Sequence, residues 1–499
     1  MKTVSPSAEE LLQHSPPLEL IKPLPTSAPI LKTDSPPKIS KQATRTSLKA
    51  STIDGVFATI FSNITGGVLL VNFLLELGAS PVEIGLLSSI PLLVNFLQPL
   101  GAYLADRTSS RHWYTLAIFG PSRLLWLILV AGIVWFSSYG TKSHQLVTWT
   151  LAIILITNIL GALGGCAWFS WMAALVPPPL RGRYFGLRNS AASLANLLSV
   201  PVLGYAISAW PGGGIQGYGV LLFVGVIIGL ISLACQFWMV DVNPQVYRSG
   251  KASSQHQENP DSPQPNTFSI LKDTNFLKFL LYFGVWTFAM NLSAPFFNLY
   301  MLKNLDLDLT TVTIYASLIA GANLVMLVLW GKLADKVGNR PLLLLVGVLI
   351  AVTPLFWLGA GNDSLSVWIW LPLIHLVSGG FGAAIDLCNS NIQMEMAPLD
   401  RPSQYFAIAA AVTGVSGGLG SATGGFLAQL DIIGGLSGLF ALSAALRLIA
   451  LLPLIFVREP RSKSIADAIE QILPFKAKAE LVSAVQGSAP PRQPETIIL

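Results

Sequence analysis

Between residues 53 and 457 the apolar positions fall into long runs separated by short polar turns. Each run holds ~20 residues or more, enough to cross a ~30 Å hydrocarbon core as an α-helix. The alternation that marks a membrane β-strand is missing, and the Gly and Pro inside the runs suit strands poorly. The pattern predicts twelve crossings: Ile53–Glu76, Val82–Ala105, Trp113–Phe136, Leu146–Leu175, Tyr184–Ala209, Tyr218–Val240, Phe276–Met301, Val312–Leu333, Pro341–Gly359, Val367–Met394, Gln404–Leu430 and Leu436–Val457. The fold class is therefore all-α, a polytopic membrane protein with twelve transmembrane helices in two six-helix bundles.

The fourth run needs a decision. No charge occurs from Gln145 to Leu180, which as helix spans ~50 Å, long for one upright helix and short for two. One tilted helix is expected, because it places Arg181, Arg183 and Arg188 on the same side as Arg107 and Arg111.

The polar stretches divide the chain into a disordered N-terminal tail (1–50), a six-helix bundle (51–241), a linker (242–274), a second bundle (275–458) and a C-terminal tail (459–499). In the last, Ile465, Ile469 and Ile472 make a short amphipathic stripe suited to a membrane surface. The tail at residues 1–50 has no cleavable-signal pattern.

Composition agrees with the pattern. Of 499 residues, 52% are hydrophobic and 11% charged, too few charges to clothe a soluble surface of this size. The 30 basic residues are sorted by side. Twenty-six lie in the tails and the loops of one face, two (Lys142 and Lys303) on the other, and Arg123 and Arg447 inside helices. The positive-inside rule then puts both termini in the cytoplasm, with a plasma or cell inner membrane expected. The net charge of +5 is an orientation signal, and no nucleic-acid partner is expected. Three scattered cysteines, Cys166, Cys235 and Cys388, exclude a disulfide scaffold or a zinc cluster.

The two halves repeat. Leu104-Ala105-Asp106-Arg107 with Arg111 follows the second crossing, and Gly331-Lys332-Leu333-Ala334-Asp335-Lys336-Val337-Gly338-Asn339-Arg340 follows the eighth. Arg181-Gly182-Arg183-Tyr184-Phe185 follows the fourth, and Arg401-Pro402-Ser403-Gln404-Tyr405-Phe406 the tenth. Offsets of 335 − 106 = 229 and 405 − 184 = 221 keep the order of an internal repeat, the usual build of secondary transporters. With its glycines, alanine and charges in place, the 331–340 segment resembles the signature loop of the major facilitator superfamily. The first-half copy departs from it, with Gly101 one residue early and Ser109 in place of the loop glycine. The resemblance covers Ile53–Val457. It implies two pseudo-symmetric bundles around a central cavity lined by the first, fourth, seventh and tenth helices, and alternating access between them. The antiporter signatures of that superfamily are missing, which leaves uniport or symport. Asp106 or Asp335 is expected to accept hydrogen bonds from a helix N-terminus while the adjacent Arg or Lys pairs across the loop, a gating latch.

A charge within the membrane costs ~2.5–3.5 kcal/mol on the insertion scale, so polar groups there need a reason. On the tenth helix His375, Gly379, Gly382, Asp386, Asn389 and Gln393 follow steps of 4, 3, 4, 3 and 4, one face. Asp386 is the candidate for a coupling proton or a cationic group. On the seventh, Asn291 and Asn298 flank Pro295, which should free the Asn291 carbonyl. Asp54, Thr65, Asn72 and Glu76 share a face of the first helix, with Asp54 and Glu76 expected at opposite interfaces. Asn95 and Gln98 continue a stripe on the second, and Trp168 on the fourth offers a ring for stacking. Arg123 and Arg447 are expected to form buried ion pairs, with Asp386 as the partner candidate, rather than to meet substrate.

These features predict a transporter of a small organic solute, gradient-driven, by uniport or proton-coupled symport. The partners expected are the solute, H+ or Na+, and lipid, with the chain a monomer. The polar residues favour a neutral or sugar-like solute. Efflux of drugs or amphipathic compounds is the alternative, and a non-transporting assembly factor or receptor the alternative of another class. No enzyme, cofactor or metal is expected: His375 and Asp386 lie ~16 Å apart along a helix, too far for one dyad.

Overall fold

The computed structural model describes residues 40–108, 110–138, 144–177, 180–241, 272–397 and 402–459, excluding the side chains of residues 106, 173, 181, 182 and 402–404. Twelve helices among them are long and apolar enough to cross a membrane. They are α1 (Lys41–Glu76), α2 (Pro81–Ala105), α3 (Arg111–Ser138), α4 (Gln145–Met172), α5 (Arg183–Ser208), α6 (Gly214–Trp238), α7 (Thr274–Asn304), α8 (Leu309–Val337), α9 (Asn339–Gly359), α10 (Ser366–Met396), α11 (Tyr405–Leu427) and α12 (Gly435–Ile455).

Side-chain caps set several starts. Ser40 caps α1 by accepting from Ala43 N at 3.1 Å. Ser80 and Glu83 form a reciprocal capping box at α2. Asp308 caps α8 through Thr311 N. Between α8 and α9 only Gly338 separates the helices, at φ 98°, a conformation that a Cβ would strain.

The fourth run is one continuous helix, Gln145–Leu175. Two features of α1 differ from the expected first crossing. It begins at Lys41, ahead of Ile53, because the Ser40 cap and a polar first segment carry the helix beyond its apolar part. It also breaks: helix runs to Ile64 and resumes at Gly67, which has φ 58°. The expected face from Asp54 to Glu76 is therefore not continuous. The tails 1–39 and 460–499, the linker residues 242–271 and Arg401 lie outside the described residues.

Packing repeats with the sequence. Helix α1 packs on α5 and α6 as α7 packs on α11 and α12, α3 on α4 and α6 as α9 on α10 and α12, and α2 on α4 as α8 on α10. The halves meet along two seams, α2 with α11 and α5 with α8. Glycines make both seams tight. A Cβ on Gly425 would lie 2.8 Å from Pro81 O, one on Gly85 2.6 Å from Ser421 O, and one on Gly204 2.5 Å from Thr313 Oγ1. Other α11 glycines face α7: a Cβ on Gly424 would meet Leu292 O at 2.2 Å. Helix α11 is thus pressed between α2 and α7, as small-residue spacing allows. These contacts lie toward the face opposite the basic loops. Toward the basic loops the halves part, and Leu100, Tyr103 and Leu104 of α2 are exposed.

Candidate functional site

Two cavities adjoin near the middle of the spans. The first, about 690 Å³, is walled by α1–α4 and α7. The second, about 460 Å³, is walled by α7–α10 and α12. Asn291 and Asn298 of α7 line both. Pro295 lies inside that helix, and the carbonyl of Asn291 receives the Ser421 hydroxyl of α11 at 3.4 Å. The Asn291 amide donates to Thr287 O at 2.9 Å, which leaves its own oxygen to accept.

The face read on α10 enters the second cavity almost intact. His375, Gly382, Asp386 and Asn389 line it. Gly379 instead takes the backbone of α8, where its Cβ would lie 2.3 Å from Ile319 O, and Gln393 falls outside the lining. His375 is buried, with Nδ1 2.7 Å from Leu371 O. A carbonyl only accepts, so Nδ1 carries the proton and Nε2 is left as an acceptor. The ring rests on Tyr315 and Trp357, with centroids 4.9 and 5.3 Å away. Asn389 accepts from Tyr282 OH at 3.1 Å, leaving its amide free to donate. Asp386 is exposed to the cavity.

The expected partnership of Asp386 with an arginine is not found among the described residues. Arg123 sits over the Phe61 ring at 3.9 Å, within electrostatic reach of Asp54, and lines the first cavity. Arg447, 2% exposed, lines the second. Its Nη1 donates to Ile350 O at 3.1 Å and its Nη2 to Ser293 Oγ at 2.8 Å. Both arginines thus face cavities, although α3 and α12 lie outside the lining set that the family resemblance implies.

Asp54, expected at an interface, lies 54 − 41 = 13 residues into α1 and is 4% exposed. Its Oδ1 accepts the Ser232 hydroxyl at 2.6 Å, and Arg188 and Arg123 are its charged neighbours. Arg188 is held by Ser51 O at 3.3 Å and lies over the Trp168 ring at 4.5 Å. Trp168 therefore holds an arginine and lines neither cavity.

Four more expected residues stay local. Asn72 donates to Glu76 Oε1 at 2.8 Å near the far end of α1. Gln98 donates to Asn95 Oδ1 at 3.0 Å where α2 passes through a short 3₁₀ turn. None of the four lines either cavity. Sequence reading also missed Asn158, Ser122, Trp286 and Trp357, all cavity-lining. Asn158 adjoins Thr157, a further polar residue of α4 that lines the first cavity. The other three carry no periodic signal.

In the second half the described carboxylate at the helix start is not the expected Asp335. Asp335 and Lys336 are exposed, and among the described residues Asp335 carries no hydrogen bond. The carboxylate at the start of α9 is Glu459, which follows α12. It accepts from Asn339 N, Asn339 Nδ2 and Arg340 N at 2.9, 2.9 and 2.8 Å. Arg340 donates onward to Leu454 O at 3.2 Å and to Ile455 O. In the first half Asp241, following α6, accepts from the Ser110 hydroxyl and from His112 N at 3.4 Å. The helix-start contact recurs in both halves, with 459 − 241 = 218 between its carboxylates. Gly331 is half-buried, Arg107 lies over Tyr103 at 4.3 Å, and Arg111 is buried. Asp106 and Arg181 are helical, with side chains outside the described set.

Twelve crossing helices in two matching sets, with cavities between and within them, define a polytopic α-helical membrane protein with a central polar chamber. The model of the Major Facilitator Superfamily matches residues 55–394 and 287–489, and the chain belongs to that superfamily, as a membrane transporter. It is 24% identical over 405 residues to an uncharacterized MFS-type transporter of Methanocaldococcus jannaschii, covering 76% of this chain and 91% of that one. Among solved structures it resembles a variant of the nucleoside transporter NupG (TM-score 0.63, 10% identity, 83% of this chain and 100% of that one). It also resembles a bacterial homologue of the iron transporter ferroportin (0.61, 14%, 84% and 99%) and a D-xylose–proton symporter (0.60, 17%, 85% and 100%). At these identities the structures establish the fold alone.

Proposed function

We propose that the chain carries a small organic solute across a plasma or cell inner membrane by alternating access, with both termini cytoplasmic. Transport is gradient-driven, as uniport or as proton symport with Asp386 holding the coupling proton. The observation that carries this reading is the placement of Asn291 and Asn298. One helix of the second half offers amides to the cavities of both halves, as a solute shared between two rocking bundles requires. The seams support it too: they close one face tightly while the halves part toward the other.

The test is a crosslink across a seam. A Cβ on Gly204 would stand 3.1 Å from Thr313 Cβ, close to the mean ~3.8 Å Cβ separation of a disulfide. Oxidised G204C/T313C in proteoliposomes should lose solute uptake and regain it on reduction. Full uptake by the oxidised pair rejects alternating access. Separately, Asp386→Asn should bind solute yet lose accumulation driven by a pH gradient. Unchanged pH dependence of uptake in that variant rejects Asp386 as the proton carrier.

A further inference from the structure

Arg447 is a full positive charge in the middle of the second half, and no described carboxylate pairs with it, although Asp386 lines the same cavity. Its partners are the Ile350 carbonyl at 3.1 Å, the Thr353 hydroxyl at 3.5 Å and the Ser293 hydroxyl at 2.8 Å. Ser293 is itself fixed by Ser443 at 2.9 Å, and Ser443 bonds to Ala289 O at 2.7 Å. These groups, from α7, α9 and α12, orient the guanidinium. They are neutral and cannot cancel its charge. Arginine does not escape by losing its proton. Its Nε is buried with no acceptor, and Nη2 spends one of its two protons on Ser293. Among the described residues Nε–H and one Nη2–H of the planar fork are thus left without an acceptor, and the fork offers an Nε/Nη2 edge for an incoming pair of oxygens. That edge matches the two oxygens of a carboxylate or phosphate.

The rest of the cavity fixes what accompanies the anion. Phe283, Trp286, Met290, Phe297 and Trp357 give it apolar and aromatic walls. Its volume of about 460 Å³ suits a solute of modest size. Asp386 and the free amide of Asn389 supply polar contacts on α10.

We infer that Arg447 is the anion-recognition group of the transporter, and that the second cavity takes an organic solute with a carboxylate or phosphate head and an apolar or aromatic body. This rests on the reading of the cavity as the solute's binding place. It sets aside the neutral, sugar-like solute that the polar residues of the sequence favoured.

The test uses matched ligands on the purified full chain: phenylacetate, phenyl phosphate, phenylacetamide, phenethylamine and phenylalanine, followed by thermal shift and calorimetry. Phenylacetate or phenyl phosphate should bind roughly tenfold or more tighter than phenylacetamide, because the amide leaves the buried charge uncompensated. Phenylacetate against phenyl phosphate identifies the head group. Phenylalanine tighter than phenylacetate adds an ammonium contact at Asp386 and also supports the anion site. Arg447→Gln should remove the preference for the anion over the amide, and Arg447→Lys should keep the charge but weaken the bidentate heads. The wild-type comparison of acid with amide needs no variant, so a misfolded Arg447→Gln leaves the test intact. Equal binding of acid and amide, binding of the neutral or cationic members alone, or no binding by any anionic member overturns the inference. Anion binding without uptake in vesicles would instead reject the transport reading and leave Arg447 in place.

Discussion

The two halves repeat in sequence and packing, yet they treat their buried arginine differently. In the first half Arg123 lies on the Phe61 ring, with Asp54 close enough to answer its charge and Arg188 completing the cluster. In the second half Arg447 has only a carbonyl and hydroxyls. The carboxylate nearest in role, Asp386, lines the same cavity but is not among the described partners of the guanidinium. The first arrangement resembles a structural charge cluster that would be strained by any change. The second is oriented but unneutralised, which is what a binding site needs before its ligand arrives.

Substitutions can break this comparison. The largest effect is expected at Asp54. Asp54→Asn weakens the buried Ser232 bond and removes the charge nearest Arg123 and Arg188, and should cost about 3 kcal/mol of stability. Asp386→Asn, exposed to the cavity, should stay within about 0.5 kcal/mol. Thermal unfolding of the two variants in one detergent compares them, and equal losses would erase the contrast. Next is Ser293→Ala, which removes the acceptor of Arg447 Nη2 and should cost about 1.5–3 kcal/mol, the range for a hydrogen bond to a charge. Added phenylacetate should recover part of that loss if the anion takes over the freed proton, and no recovery would mean that Ser293 and the solute do not share the guanidinium.

A smaller effect is expected at the helix-start contacts. Glu459→Gln and Asp241→Asn each remove a charge from a helix start and should cost about 1 kcal/mol or less. Among the described residues Glu459 accepts three bonds and Asp241 two, so a larger rise in amide exchange at the start of α9 in Glu459→Gln than at the start of α3 in Asp241→Asn would sharpen the difference. The smallest concerns Asp363, before α10. The Ser366 hydroxyl and amide hold its carboxyl below the usual carboxylate range. The folded value lies under the unfolded one, so this bond stabilises above the ordinary pKa of about 3.9 and is lost as pH falls through the folded value. Amide exchange at Ser366 should rise in that acid window in wild type and show no such step in Asp363→Ala.

Much of this was legible in the sequence. Long apolar runs are read reliably because a bilayer imposes length and satisfied backbone on every crossing. The α10 face was readable because helical period places His375, Asp386 and Asn389 together whatever surrounds them. The amphipathic beginning of α1 was not, since Lys41, Arg45 and Lys49 lower hydropathy without opposing helix, and with it went the burial of Asp54. Charge partners were missed for another reason. Which carboxylate answers Arg123, and that none described answers Arg447, depends on helices far apart in the chain. Glu459 was hidden likewise, because a cap supplied from 459 − 339 = 120 residues away leaves no local pattern.

The break in α1 has a consequence for permeability. Gly66 offers no side-chain cap to the half-helix that begins at Gly67, and the first-turn amides of a helix have no partners of their own. Gly66 and Gly67 line the first cavity, so water in that cavity would be the partner open to the Gly67 amide. A chamber that serves it stays hydrated when no solute occupies it. A hydrated chamber could pass ions unless something else stops them. The leak barrier on the face away from the basic loops therefore falls to the glycine seams, where Gly85, Gly204 and Gly425 bring helices too close for a file of water.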